Sequence, residues 1–87
     1  MEWNDKIVMA KLLNNMKYKE AVELMKSNER NIDAQAVDMF ITGFCLANAE
    51  LLIPILPILE RYISSDSISW RGRMRIALAI QQCEKLK

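Results

Sequence analysis

Histidine is absent from this 87-residue chain, and its two cysteines, Cys45 and Cys83, lie 38 positions apart with no CxxC spacing. These absences leave neither a zinc site nor a disulfide framework in view. There is no Gly-rich phosphate loop and no pair of carboxylates at a shared position, so no enzyme activity, cofactor or metal is expected. Cys45 sits in an apolar run, where a small core residue is the commoner role than a nucleophile. Glycine and proline number two each, whereas 52% of the residues are apolar. That balance excludes a disordered tail and argues against a strand-and-turn-rich fold. Helices remain.

The length suits a single domain over residues 1–87, one that buries a limited fraction of its surface. The formal charge is only +1, which argues against a protein whose main task is to hold nucleic acid. The charge is unevenly spread: residues 32–60 contain Asp33, Asp38, Glu50 and Glu60 and no Lys or Arg, whereas residues 61–87 set Arg61, Arg71, Arg73, Arg75, Lys85 and Lys87 against Asp66 and Glu84. The opening MEWNDK carries two acids and no apolar run, so no secretory leader is expected and the chain reads as cytoplasmic and reduced. Residues 39–59 carry only Glu50 as a charge, but Asn48, Pro54 and Pro57 interrupt them and no basic flank precedes them. Two packed amphipathic helices explain this stretch better than a membrane span.

Apolar residues at helical spacing predict a first helix from Trp3 to about Asn15 and a second from Lys17 to Ser27 or Asn28. A polar connection follows. Asp33 is placed to cap a third helix that continues through Phe40, Ile41, Phe44 and Leu46 toward Asn48, with Gly43 inside it marking close approach of a neighbour. A fourth helix is expected over 49–63. Pro54 and Pro57 occupy its first turn if it begins near Ile53, and otherwise kink it. After the turn Ser64-Ser65-Asp66-Ser67, a fifth helix runs from Ile68 to Leu86.

A period of 34 runs through these elements. Leu12 and Leu46, Asn14 and Asn48, Leu24 and Ile58, and Met25 and Leu59 each stand 34 residues apart. The same register places Met74 after Phe40, Leu78 after Phe44 and Ile80 after Leu46, making the fifth helix the start of an incomplete third repeat. With that period, NMKYKEAVELM at 15–25 resembles the inter-helix turn and second helix of the tetratricopeptide repeat, Tyr18, Glu20 and Ala21 standing at its characteristic positions. Gly43 falls where that family prefers a small residue, while Met9 and Ile55 stand where it has small ones. The resemblance implies an all-α, open right-handed solenoid: about five helices, as two helix-turn-helix repeats plus a C-terminal helix. Its concave wall would carry three rows: Lys6, Phe40 and Met74; Ala10, Phe44 and Leu78; Leu13, Ala47 and Gln81. Left open, such a trough forgoes the ~1.5–3 kcal/mol that each buried Leu or Phe contributes, and a partner helix would restore it. The same side chains would instead be ordinary core in a closed bundle. Phe44→Glu separates the two cases: on a trough wall it removes partner binding and leaves the helices intact, whereas in a core it removes the fold.

More specifically, residues 34–87 are similar to the tetratricopeptide-like chaperones of bacterial type III secretion needle subunits. The likeness rests on Phe40-Ile41-Thr42-Gly43-Phe44-Cys45-Leu46, Leu59-Glu60-Arg61, a short polar joint, and a last helix ending Glu84-Lys85-Leu86-Lys87. It implies a non-enzymatic cytoplasmic chaperone in a one-to-one-to-one complex with a small helical co-chaperone and the needle subunit. The subunit's amphipathic C-terminal helix would lie in the groove of Ala10, Leu13, Phe40, Phe44, Ala47, Met74, Leu78 and Gln81, unable to polymerise. The competing function is a small DNA-binding or regulatory protein using the basic C-terminal helix, in which Trp70 stacks and Arg71, Arg73 and Arg75 grip phosphate. On a helix those arginines do not form one compact stripe, which favours a solvated rim or a protein contact.

Overall fold

A computed structural model describes residues 1–86, and within them every regular element is helical. The α-helices are α1 (Trp3–Asn14), α2 (Tyr18–Ser27), α3 (Ala34–Gly43), α4 (Leu56–Tyr62) and α5 (Trp70–Lys85), with 3-10 segments at Glu29–Asn31 and Leu46–Ile55. The chain reverses between α1 and α2 through Met16 in the left-handed region at φ 58°, and the Lys17 amide closes the turn on Leu12 O at 2.8 Å. As its position predicts, Asp33 caps α3 by accepting from the Ala36 amide at 2.8 Å. Ser69 does the same for α5, accepting from the Gly72 amide at 3.0 Å.

Three helices run side by side in the same direction. Lys6 of α1 meets Asp33 and Gln35 at the start of α3, and Leu13 lies beside Gly43 at its end. Asp38 of α3 bonds Ser69 at the start of α5, and Arg75, further along α5, reaches Ile41 O at 2.8 Å and also Phe44 O. Arg75 thereby satisfies carbonyls that the end of α3 would otherwise leave unpaired. The close approach expected at Gly43 is present: a Cβ there would lie 3.1 Å from Leu13 Cδ1.

The open solenoid is not what forms. α1 packs on α2 and α3, α3 on α5, α5 on the Leu46–Ile55 segment, and that segment on α2. The circuit is closed, and α4 covers it by packing on α5, α3 and the same segment. The radius of gyration, 11.6 Å, matches the ~12 Å of a compact domain of this length.

Three local departures produce the closure. α3 stops at Gly43 rather than near Asn48, and Phe44, in extended backbone at φ -84° and ψ 136°, turns into the interior. Where a second repeat would have its outer helix, residues 46–55 wind as 3-10 turns broken by non-helical backbone at Asn48, and Pro54 lies inside them. Only Pro57 falls in the first turn of α4, where its missing amide costs nothing. This tighter winding carries Ala49, Leu52 and Ile55 into the core. Finally, Met9 and Ile55, the large residues at positions where the repeat family has small ones, are both fully buried. They fill the space that a solenoid leaves between its layers.

Phe40 and Phe44 form the centre of the core, their rings 5.2 Å apart, with Tyr18 edge-on to Phe44 at 5.2 Å. Ile41, Met25, Leu59 and Ile76 belong to the same buried cluster. Lys6 is the one described charged side chain that is buried; its amine lies 2.7 Å from Gln35 Oε1 and 3.0 Å from Asp33 Oδ2. Burial by itself would raise the Asp33 pKa, but the Ala36 amide and the Lys6 ammonium outweigh it and hold the carboxyl below its ordinary value. A lowered folded-state pKa contributes stability that is fully present above the unfolded value, near 3.9, and is lost as pH falls through the folded one. Because 45% of the Asp33 side chain is in water, the contribution is under about 1 kcal/mol. Asp33→Asn keeps a capping oxygen and loses the charge. Urea titrations are expected to show wild type more stable by a constant margin from about pH 5 to 8, with the margin closing below about pH 4.

Candidate partner-binding surface

α5 is apolar on two opposite sides. Gly72, Ile76, Ala79 and Cys83 face inward and are buried. A half-turn round the helix, Trp70, Met74 and Leu78 recur at i, i+4 and i+8, with exposures of 70%, 47% and 43%. Ala77 and Gln81 complete this outer side, both exposed. A surface helix needs one apolar stripe to join a core, so the second is unexplained by folding. Scattered exposed apolar residues are ordinary, but three in line on one rigid helix make a ridge.

The eight residues that the repeat register assigned to one trough part company. Phe40, Phe44 and Leu13 lie in the core, where only unfolding would bring the two rings to a partner. Ala10 is half-buried and lines, with Leu13, Asn14, Met39, Thr42 and Gly43, a shallow groove of about 260 Å³ between α1 and α3. Ala47 is exposed at the mouth of a separate groove of about 420 Å³, lined also by Leu46, Glu50, Gln82 and Leu86. Met74, Leu78 and Gln81 share the outer side of α5. Lys6, from the first row of the register, is tied to Asp33 and Gln35.

Trp70 belongs to the ridge, and its signal was present in the sequence: the Trp70-Met74-Leu78 spacing, set against an equally regular Gly72-Ile76-Ala79-Cys83 series. Trp3 and Ile7 on α1 are a smaller pair of the same kind, 64% and 39% exposed. The three arginines differ in their commitments. Arg75 is bonded to the end of α3, Arg73 lies 3.7 Å from Asp66, and Arg71 is exposed.

Cys45 is exposed and Cys83 is buried with its Sγ 3.2 Å from Ala49 O. Among the described residues no three His, Cys, Asp or Glu side chains converge as metal ligands, and no helix is long and apolar enough to cross a membrane. In comparison with known proteins, the chain matches no family model, no curated protein and no solved structure.

Proposed function

We propose that the chain is a non-enzymatic binding protein for another helical polypeptide, and that the outer side of α5 is its contact surface. The observation that carries this reading is the ridge of Trp70, Met74 and Leu78, exposed opposite a side of the same helix that is already buried. Apolar anchors at i, i+4 and i+8 are the pattern by which helices recognise one another. Two features support it further: a large aromatic with low conformational freedom, Trp70, at one end of the ridge, and an adaptable methionine, Met74, at its centre.

The specific form we put forward is a chaperone of a type III secretion needle subunit, acting in the bacterial cytoplasm with a small helical co-chaperone. Its support is the sequence resemblance over residues 34–87, with the seat of the subunit's helix moved from a trough of Phe40 and Phe44 to the ridge on α5. An amphipathic helix held there has its own apolar side occupied and cannot pack into a filament.

Co-expression with a needle subunit and a small helical co-chaperone tests this form. A one-to-one-to-one complex is expected on size exclusion. Met74→Glu combined with Leu78→Glu is expected to lose the needle subunit while the helical circular dichroism and the melting temperature stay as in wild type, since both side chains are already partly in water. A well-behaved wild-type chain that associates with neither candidate contradicts the proposal.

A further inference from the structure

The charges beside the ridge say what kind of helix would lie on it, given the binding reading above. At 3.6 residues per turn, Arg71 falls on one flank of the Trp70–Met74 stretch and Arg73 on the other, and Lys85 lies in line with the ridge at its far end. Arg71 and Lys85 are exposed, and among the described residues neither has an ion-pair partner. Arg73 holds only Asp66, at 3.7 Å, and that carboxylate is fully exposed. A pair of that kind contributes little and exchanges readily. Glu84, the one acidic residue of α5, stands at one edge of the ridge's far end, on the Arg73 side.

We propose that the occupant of the ridge is an amphipathic helix with acidic residues along the border of its apolar stripe that meets Arg71 and Lys85. The apolar middle, Met74 and Leu78, offers nothing to a phosphate backbone and fits a hydrophobic stripe. A second copy of this chain is a poor occupant. In a two-fold antiparallel pairing of α5 with itself, Arg71 of one copy meets Lys85 of the other and repels it, while Arg73 meets Glu84 on the opposite flank, so charge gives the pairing no net gain. One face of a 16-residue helix also offers less than the ~800 Å² per partner of a standard stable interface. The complex expected is transient and salt-sensitive, with the basic groups at the rim setting partner choice.

Two labelled synthetic helices of about 18 residues test this, identical in a Leu stripe at heptad spacing and differing only in Glu or Lys at the bordering positions. By fluorescence anisotropy with the intact chain, the Glu peptide is expected to bind about tenfold more tightly than the Lys peptide. The preference should fade between about 50 mM and about 500 mM NaCl. Arg71→Glu combined with Lys85→Glu, both at exposed positions, should invert it with the circular dichroism unchanged. Equal binding of the two peptides, or preference for the Lys peptide, overturns the acidic partner and leaves the ridge as a helix-binding surface. Binding of neither overturns both readings. Tighter binding of a short DNA duplex than of the Glu peptide overturns this assignment in favour of nucleic acid.

Discussion

Phe44→Glu is expected to abolish the cooperative unfolding transition and most of the helical circular dichroism at 25 °C. Phe44 is 1% exposed, packed between Phe40 and Tyr18, and its own carbonyl accepts from Arg75. Removing a buried phenylalanine side chain costs about 3–5 kcal/mol before any charge is introduced. Burying a carboxylate there adds several more, unless it takes up a proton or drags the segment into water. A domain of this length is stable by about 5–10 kcal/mol, so the sum removes the fold. Retained helicity with loss of partner binding alone would instead place Phe44 on an open wall and contradict the closed packing.

Gly72→Val is the second large effect. α5 approaches α3 so closely at this point that a Cβ on residue 72 would lie 2.3 Å from Asp38 Oδ1 and 2.9 Å from Ile68 Cγ2. Asp38 could swing away only by giving up Ser69, which donates to it through both its hydroxyl, at 2.9 Å, and its amide. Those bonds fix the first turn of α5 against the middle of α3. Alanine gains ~1 kcal/mol of helix propensity over glycine, so Gly72→Ala partly offsets its own clash. Valine adds two more carbons and a poorer propensity, and is expected to cost about 3 kcal/mol, or roughly 15 °C in melting temperature. A Gly72→Val protein that melts with wild type would mean that the two helices are not in contact there.

The helices most legible in the sequence were those with one apolar side and polar ends. α1, α2 and the start of α3 follow from periodicity, from Asn14-Asn15 and from the Asp33 cap. How the chain winds at residues 51–59 was not legible because they are apolar all round: with Leu51, Leu52, Ile53, Ile55, Leu56, Ile58 and Leu59 in succession, a 3-10 turn and an α-helix bury comparable surface. Only the missing amides of Pro54 and Pro57 distinguish them, and these could be accommodated by two different helix starts. The 34-residue spacing was real as a pattern of residue types, and it still brings Arg75 to Ile41 and Cys83 to Ala49. It did not say that α3 would end at Gly43 and turn Phe44 inward. The register therefore located the outward residues of α5, Met74, Leu78 and Gln81, but set them in one trough with Phe40 and Phe44, which belong to the core. In the sequence Trp70 stands beside arginines, which hides its alignment with Met74 and Leu78 along the helix.

The outer side of α5 stands apart from the core only if the first helical pair is locked to the last helix through Leu46–Ile55. Native-state amide hydrogen exchange of the isolated chain reads this directly, because stability shared around a closed circuit differs from stability stacked repeat by repeat. The central amides of α1, α3 and α5 are expected to exchange with one common opening free energy, equal to that of global unfolding. Exchange of α1 and α2 through an opening several kcal/mol easier than that of α5 would show an end that peels away on its own, and with it an open array.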